Sequence, residues 1–467
     1  MKTFKNANIV LSTILAMTLC AVSSNAGDVL SGNMNSATGS IAVVGGGYDN
    51  HADGDGAFVG GGIRNNANSF YSLITAGYEN KASGKQSTIV GGANNQASGE
   101  GSYIGAGIKN IASEYSTVVI GGYNNRATGK QSTVAGGVNN EASGEGANIS
   151  GGNSNKATGY TAVVSGGYGN IASGMGSFIG SGKANKAKSD YSVIGGGNAN
   201  STEYRYDVVG GGYGNKASGD EIYSSLFHMW WYYPATVAGG SGNTASGDWS
   251  FVGGGSSNTA SGDSSVVAGG YNNMAIGNYS AIAGGKDNNV SGEYSFVFGR
   301  NMHFEGDGIV AFSDSNSIDK TFYSSVNNQF VGFFNNGYKL FTDSGVSSGV
   351  YLNHGDGAWN TISDKNKKEN YEKVDGKEIL EKLSHLPVMK WNYKNQNKNI
   401  KHIGPFSQDF YAIFKLGNSD KSISTIDPDG IALISIKTLY EMRKADEKKI
   451  EELEKRIEKL EKLLLKK

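Results

Sequence analysis

An asparagine followed two residues later by a small residue returns every 15 residues, at Asn35, Asn50, Asn65, Asn80, Asn95, Asn110, Asn125, Asn140, Asn155, Asn170, Asn185, Asn200 and Asn215. The phase breaks once and resumes at Asn243, Asn258, Asn273 and Asn288. A fixed period of this length marks stacked, near-identical coils rather than a single globular core. Each unit reads approximately S-x-V-x-G-G-x-x-N-x-A-S-G-x-x, as in Ser132-Thr133-Val134-Ala135-Gly136-Gly137 followed by Asn140-Glu141-Ala142-Ser143-Gly144. Two runs alternate small apolar and polar residues, as short strands with one buried face do. The glycine pairs allow positive φ at the corners, and asparagine is the next most tolerant residue there. All four prolines, Pro234, Pro387, Pro405 and Pro428, fall outside the units. A hydrogen-bond ladder running through every turn cannot spare the missing N–H. Fifteen residues allow two strands and two corners per coil, and seventeen coils would extend roughly 80 Å. The inward residues are small, so one coil encloses little apolar volume, and burial against other copies is the expected remedy.

Stretches such as Asn258-Thr259-Ala260-Ser261-Gly262 and Ser265-Val266-Val267-Ala268-Gly269-Gly270 resemble the head repeats of YadA-like trimeric adhesins. The resemblance covers about residues 31–300. It implies a left-handed parallel β-roll packed as a homotrimer. The membrane β-barrel that anchors that family is not recognisable after the repeats.

Between Asn215 and Asn243 the spacing is 28, so thirteen residues, 221–233, are inserted. They include Trp230, Trp231, Tyr232 and Tyr233, a dense aromatic group in a shaft of small side chains. Two readings stand. The insertion is a ligand-binding surface, or a plug packed on neighbouring coils or chains, which is slightly preferred.

Composition removes several classes. Glycine is abundant (71 residues) but proline is not (4), which excludes collagen. The formal net charge is -1 with 18% charged residues, so the basic footprint of a nucleic-acid binder is missing. Lys2 and Lys5 precede an apolar stretch at 9–22, and Ser24-Asn25-Ala26 supplies small residues at the cleavage spacing. Residues 1–26 are therefore expected to be a signal peptide, with a secreted, extracellular or cell-surface mature chain from Gly27. The apolar stretch is short for a membrane span, and none is expected after cleavage. The single cysteine, Cys20, lies in this segment, which leaves the mature chain without disulfides or cysteine metal sites.

Beyond Arg300 the side chains grow larger. Phe330-Val331-Gly332-Phe333-Phe334 and Tyr338-Lys339-Leu340-Phe341 read as strands about an Asn335-Asn336-Gly337 turn, which makes 301–360 a β-rich neck. Next come Ser363-Asp364-Lys365-Asn366-Lys367-Lys368-Glu369-Asn370, an amphipathic helix around 379–386 and a strand at 388–393. His402-Ile403-Gly404-Pro405-Phe406-Ser407-Gln408-Asp409-Phe410 and Asp429-Gly430-Ile431-Ala432-Leu433 follow. This order of motifs resembles the intramolecular chaperone auto-processing domain of endosialidase-type phage tailspikes, assigned here to 361–440. Phe406-Ser407 depart from that family's more usual aliphatic residue and alanine.

The resemblance implies a self-cleaving Ser-Lys dyad, which falls on Ser363 and Lys368. A serine hydroxyl needs a base to become a nucleophile. Lysine serves only when neutral, which calls for burial or neighbouring positive charge such as Lys365 and Lys367. Residues five apart on an α-helix face different sides, so a working dyad requires a bent turn. Taken alone, Ser363-Asp364 reads as a helix cap beside solvated lysines. His402, Gln408 and Asp409 lack a metal-ligand spacing and read as structural. Asp53-Gly54-Asp55-Gly56 is a faint calcium pattern only. Neither a cofactor nor a metal is expected.

The chain closes with Ile436, Leu439, Ile450, Leu453, Ile457, Leu460 and Leu464 at heptad a and d positions, interrupted by Arg443 and Asp446. Residues 441–467 therefore read as a coiled coil. The whole predicts a mainly β, trimeric surface fibre or adhesin, with a ligand on a host surface or in a matrix. Its chaperone end would align the chains and then be released by a serine endopeptidase acting on its own chain. An uncleaved surface trimer and a phage-type tail fibre are the alternatives. A carbohydrate-active β-helix enzyme would need paired acids in a groove, and the acids of the repeats are scattered.

Overall fold

The computed structural model describes residues 27–225, 228–314 and 321–465. The expected signal peptide, 1–26, lies outside them. The chain divides into two compact units, Met1–Lys339 with Tyr351–Trp359, and Leu340–Val350 with Asn360–Lys467.

The first unit is a parallel β-solenoid of about 19 turns, as the period predicts. In the coil around Asn140, Thr133–Val134 pairs with Val118-Val119 below and Asn148–Ile149 above. On the second side, Glu141–Ala142 lies between Arg126–Ala127 and Lys156–Ala157. The structure adds a third ladder, one residue wide, in which Val138 bridges Tyr123 and Asn153. A coil thus has three hydrogen-bonded positions, not the two strands expected from alternation. A one-residue bridge is too short to show as alternation.

The corners also differ from expectation. Gly137 has φ +91°, but its companion Gly136 does not have positive φ, and neither does the repeating Asn140. The left-handed residue is the one before it, Asn139, with φ 56°. A Cβ on Gly137 would lie 2.1 Å from the Gly152 carbonyl and 2.6 Å from Asn140 Nδ2. Glycine is required there by space as well as by torsion.

Asn140 is fully buried, where an unmet amide would be costly. Its Nδ2 donates to the carbonyls of Gly136 (3.0 Å) and Gly152 (2.9 Å), and its Oδ1 accepts from Asn155 N (3.0 Å). Asn140 N in turn donates to Asn125 Oδ1 at 3.0 Å. The 15-residue asparagine signature is therefore an internal amide ladder that ties each corner to the next coil.

Every coil closes its own core. Val134, Asn140, Ala142 and Ala147 are fully buried within one chain, and Ile74, Ile149 and Val267 hold the Val134 position elsewhere. This corrects the expectation that thin coils need other chains to cover their inner faces. Four short side chains fill the narrow section, and the backbone closes around them. Large side chains stay accessible on the outside of the third ladder, at Tyr48, Ile63, Ile108 and Tyr123, and of the first ladder. Phe178, Phe251 and Phe296 are exposed there, and Phe58, Leu73 and Val118 are half-buried.

The solenoid does not end at 300. Phe296–Arg300 pairs in parallel with Val310–Ser313, which pairs with Phe330–Phe333. On the second side Met302–Phe304 pairs with Phe322–Ser324. Met302 takes the ladder asparagine's place, and its N–H donates to Asn288 Oδ1 at 3.1 Å. Met302, Phe304 and Ile309 fill the wider core. The expected neck at 301–360 thus begins as further coils. A turn does form at Asn335-Asn336-Gly337, where Gly337 N donates to Phe334 O (2.9 Å). The strands beside it belong to different sheets, so the expected hairpin is not made.

The insertion folds as an antiparallel hairpin of β1 (Asp220–Ser224) and β2 (Met229–Tyr233), with Asp220 opposite Tyr233 and Ile222 opposite Trp231.

In the second unit, helix α1 (Gly376–Ser384) is capped by Asp375, whose side chain accepts from Lys377 N and Glu378 N. Strands β3 (Met389–Trp391) and β4 (His402–Gly404) pair antiparallel. Helix α2 (Ser407–Phe414) and helix α3 (Ile426–Leu464) complete it. Phe410, Phe414 and Ile431 form a small core against Ile379, Leu383 and Leu386. Pro428 sits in the first turn of α3, where no intrahelical N–H is lost. Among the described residues, no helix is long and apolar enough to cross a membrane.

Candidate functional site

Ser363 and Lys368 flank a single 3₁₀ turn, Lys365–Lys367. Asp364 caps that turn by accepting from Asn366 N at 2.9 Å. Lys368 is extended (φ -123°, ψ 153°). A 3₁₀ turn needs three residues per revolution, so the extended residue brings the lysine back toward the serine. Lys368 Nζ lies 2.6 Å from Ser363 Oγ. The bent turn that a five-residue spacing demands is the one formed, and the cap at Asp364 is part of it.

Two braces hold this turn. The Tyr371 hydroxyl donates toward the carbonyls of Lys365 and of Lys368, the latter at 2.9 Å. Lys367 Nζ donates to the Val346 carbonyl. Val346 sits in a loop organised by Asp343, whose carboxylate accepts from Ser347 N, Ser348 N and Ser348 Oγ. The Ser348 hydroxyl first, then the two amides, hold the Asp343 carboxyl well below the usual carboxylate range. Nothing in the sequence pattern singled out Tyr371 or Asp343, because both act through backbone groups brought near by folding. In the single chain, Ser363 and Lys368 are solvent-exposed.

The structure separates the other polar candidates from this pair. His402 Nε2 lies 3.0 Å from Gln396 Oε1, with its ring against Trp391. Ser407 Oγ donates to Gln408 Oε1 at 3.4 Å, and Asp409 lies in the first turn of α2. The carboxylates of Asp53 and Asp55 accept from Thr38 Oγ1 and Ser40 N.

The aromatic candidates divide between two roles. Tyr232 receives Arg205, which donates to its hydroxyl and lies 5.0 Å from the ring centre, and it meets Tyr206 edge-on. Arg205 also pairs with Asp190 at 2.6 Å. Tyr233 packs edge-on against Trp249. Trp230 and Trp231 are about half exposed. Both feet of the hairpin are pinned by buried Asp207, whose Oδ1 accepts from Gly219 N (3.2 Å) and Ala235 N (2.9 Å). Burial pushes the Asp207 carboxyl up despite those amides. Asp207 occupies a row otherwise held by serine, alanine or threonine in the 15-residue units, a departure visible in the aligned repeats.

Residues 363–416 match a family model described as chaperone of endosialidase. No curated protein matches the chain. The matched segment begins at Ser363 and contains Lys368, α1, both strands of the β3–β4 pair and α2. Together with the solenoid, this match fits a tail-fibre-like protein with an endosialidase-type chaperone domain.

Proposed function

We propose that this chain is a trimeric surface fibre whose C-terminal unit aligns three chains and then detaches by Ser363–Lys368 autoproteolysis. The observation that carries the cleavage step is the 2.6 Å approach of Lys368 Nζ to Ser363 Oγ at the head of the matched segment. A neutral Lys368 accepts the Ser363 proton as Oγ attacks a peptide carbonyl of the chain near itself; the peptide C–N bond then breaks, the leaving amine takes that proton, and water hydrolyses the ester to free Ser363. Assembly supplies the drier surroundings in which the neutral amine persists.

The need for an aligning device follows from the repeat. A slip of 15 residues preserves nearly every local pairing. Three copies would cover the exposed outer row at Phe178, Phe251 and Phe296, while α3 presents Ile450, Leu453, Ile457 and Leu460 to partner helices. The 15-residue units retain their likeness to YadA-like heads. Export through the N-terminal segment places the fibre outside the cell.

Residues 27–467 run on a denaturing gel provide the test. The expected result is two fragments divided near residue 363, and one full-length band for Ser363→Ala and Lys368→Met. A wild-type band identical to that of Ser363→Ala would leave the uncleaved surface trimer as the reading.

A further inference from the structure

The hairpin interrupts a shaft that is otherwise regular, and its feet are pinned by Asp207. Alternation along β1 and β2 places Asp220, Ile222, Met229, Trp231 and Tyr233 on one face. Ile222, Met229 and Trp231 are each about half exposed. Trp249, against Tyr233, is also exposed. At the foot of this face lies a cleft of about 580 Å³ lined by Asp220, Asp248, Asp263, Ser246, Ser261 and Lys216. Among the described residues, Asp220, Asp248 and Asp263 make no ion pair, whereas nearby Glu203 is neutralised by Lys188 at 2.7 Å. Burial first, then the charges of Asp263 and Asp220, hold Asp248 above the usual carboxylate range, and the three carboxylates outweigh the one lysine of the lining, Lys216.

We propose that the hairpin face and the cleft beneath it bind a glycan carrying free amino groups. Trp231, Tyr233 and Trp249 offer flat faces for the apolar side of a sugar ring and for cation–π contact. Asp248, Asp263 and Asp220 accept from the ammonium and hydroxyl groups, and Ser246 and Ser261 complete a polar floor. Charge complementarity selects the occupant. An anionic sugar would set its carboxylate against three others, and an acetylated amine loses the charge that the cleft favours. Flat aromatic faces above a hydroxyl-lined floor favour a sugar ring over a basic peptide. This site is independent of Ser363 and Lys368.

The test is titration of the full chain with glucosamine oligomers, their N-acetylated counterparts, sialic-acid oligomers and polylysine. Glucosamine oligomers should bind, more weakly as salt rises. Binding should fall at least tenfold in Trp231→Ala and in Asp248→Asn, and vanish on deletion of 221–233. Acetylated and sialylated oligomers should bind at least tenfold more weakly than the free amine. Equal binding of the three sugars, binding of polylysine without the glucosamine oligomer, or undiminished binding after the deletion would each overturn the proposal. Circular dichroism of the deletion chain, whose shaft regains an unbroken period, separates loss of the site from loss of the fold.

Discussion

At the residue scale, the buried amide ladder concentrates the most structure in the fewest atoms. Replacing Asn140 by alanine leaves the Gly136 carbonyl and the Asn155 N–H without their partner, while the Gly152 carbonyl keeps the Val138 N–H. Each unmet buried group costs about 1–3 kcal/mol, so a loss of roughly 2 kcal/mol or more is expected in urea unfolding of the shaft. Asn139→Ala, at an exposed left-handed position, should cost only about 1 kcal/mol. Comparable losses for the two would argue against the ladder. Asp343 makes a pH prediction. Its folded-state pKa is depressed, so its contribution is present above the ordinary carboxylate pKa of about 3.9 and is lost as pH falls below it. Amide exchange at Ser347 and Ser348 should accelerate on acidification below that value. Asp343→Asn should show fast exchange already at neutral pH, and unchanged exchange in that variant would count against the role of the carboxylate.

At the scale of elements, the hairpin is an addition to a coil, not a break in one. Val208–Val209 still pairs with Thr236–Val237 across it, and Lys216–Ala217 with Thr244–Ala245. Removing the thirteen residues 221–233 restores the 15-residue spacing between Asn215 and Asn243. The expected result is an intact solenoid with a melting temperature within a few degrees of the parent, because the ladders on both sides survive. A large drop would mean that the insertion is a structural plug. The same scale explains why the shaft runs past residue 300. Met302 donates to Asn288 in place of the next asparagine, and Met302, Phe304 and Ile309 together fill the wider core.

At the scale of the whole molecule, each coil is filled by its own side chains, and the proposed assembly would cover the outside of the coils and the apolar seam of α3. Leu453→Asp with Leu460→Asp should reduce assembly of the 27–467 chain and, with it, cleavage near Ser363. Sedimentation velocity and a denaturing gel read the two together, and full assembly of the double variant would remove α3 from the account. The sequence by itself determined the solenoid, its period and the place of the insertion, because a period survives any ignorance of packing. The resemblance to the chaperone domain pointed to Ser363 and Lys368, and the fold brings the two side chains together across a 3₁₀ turn. The number of ladders per coil, the inward turn of the asparagines, the self-contained core and the shaft beyond 300 were decided by tertiary structure. So were the Asp207 clamp, the Tyr371 brace and the cleft below Trp231. These depend on carbonyls, amides and side chains from different coils or segments meeting in space, and no linear pattern encodes such distances.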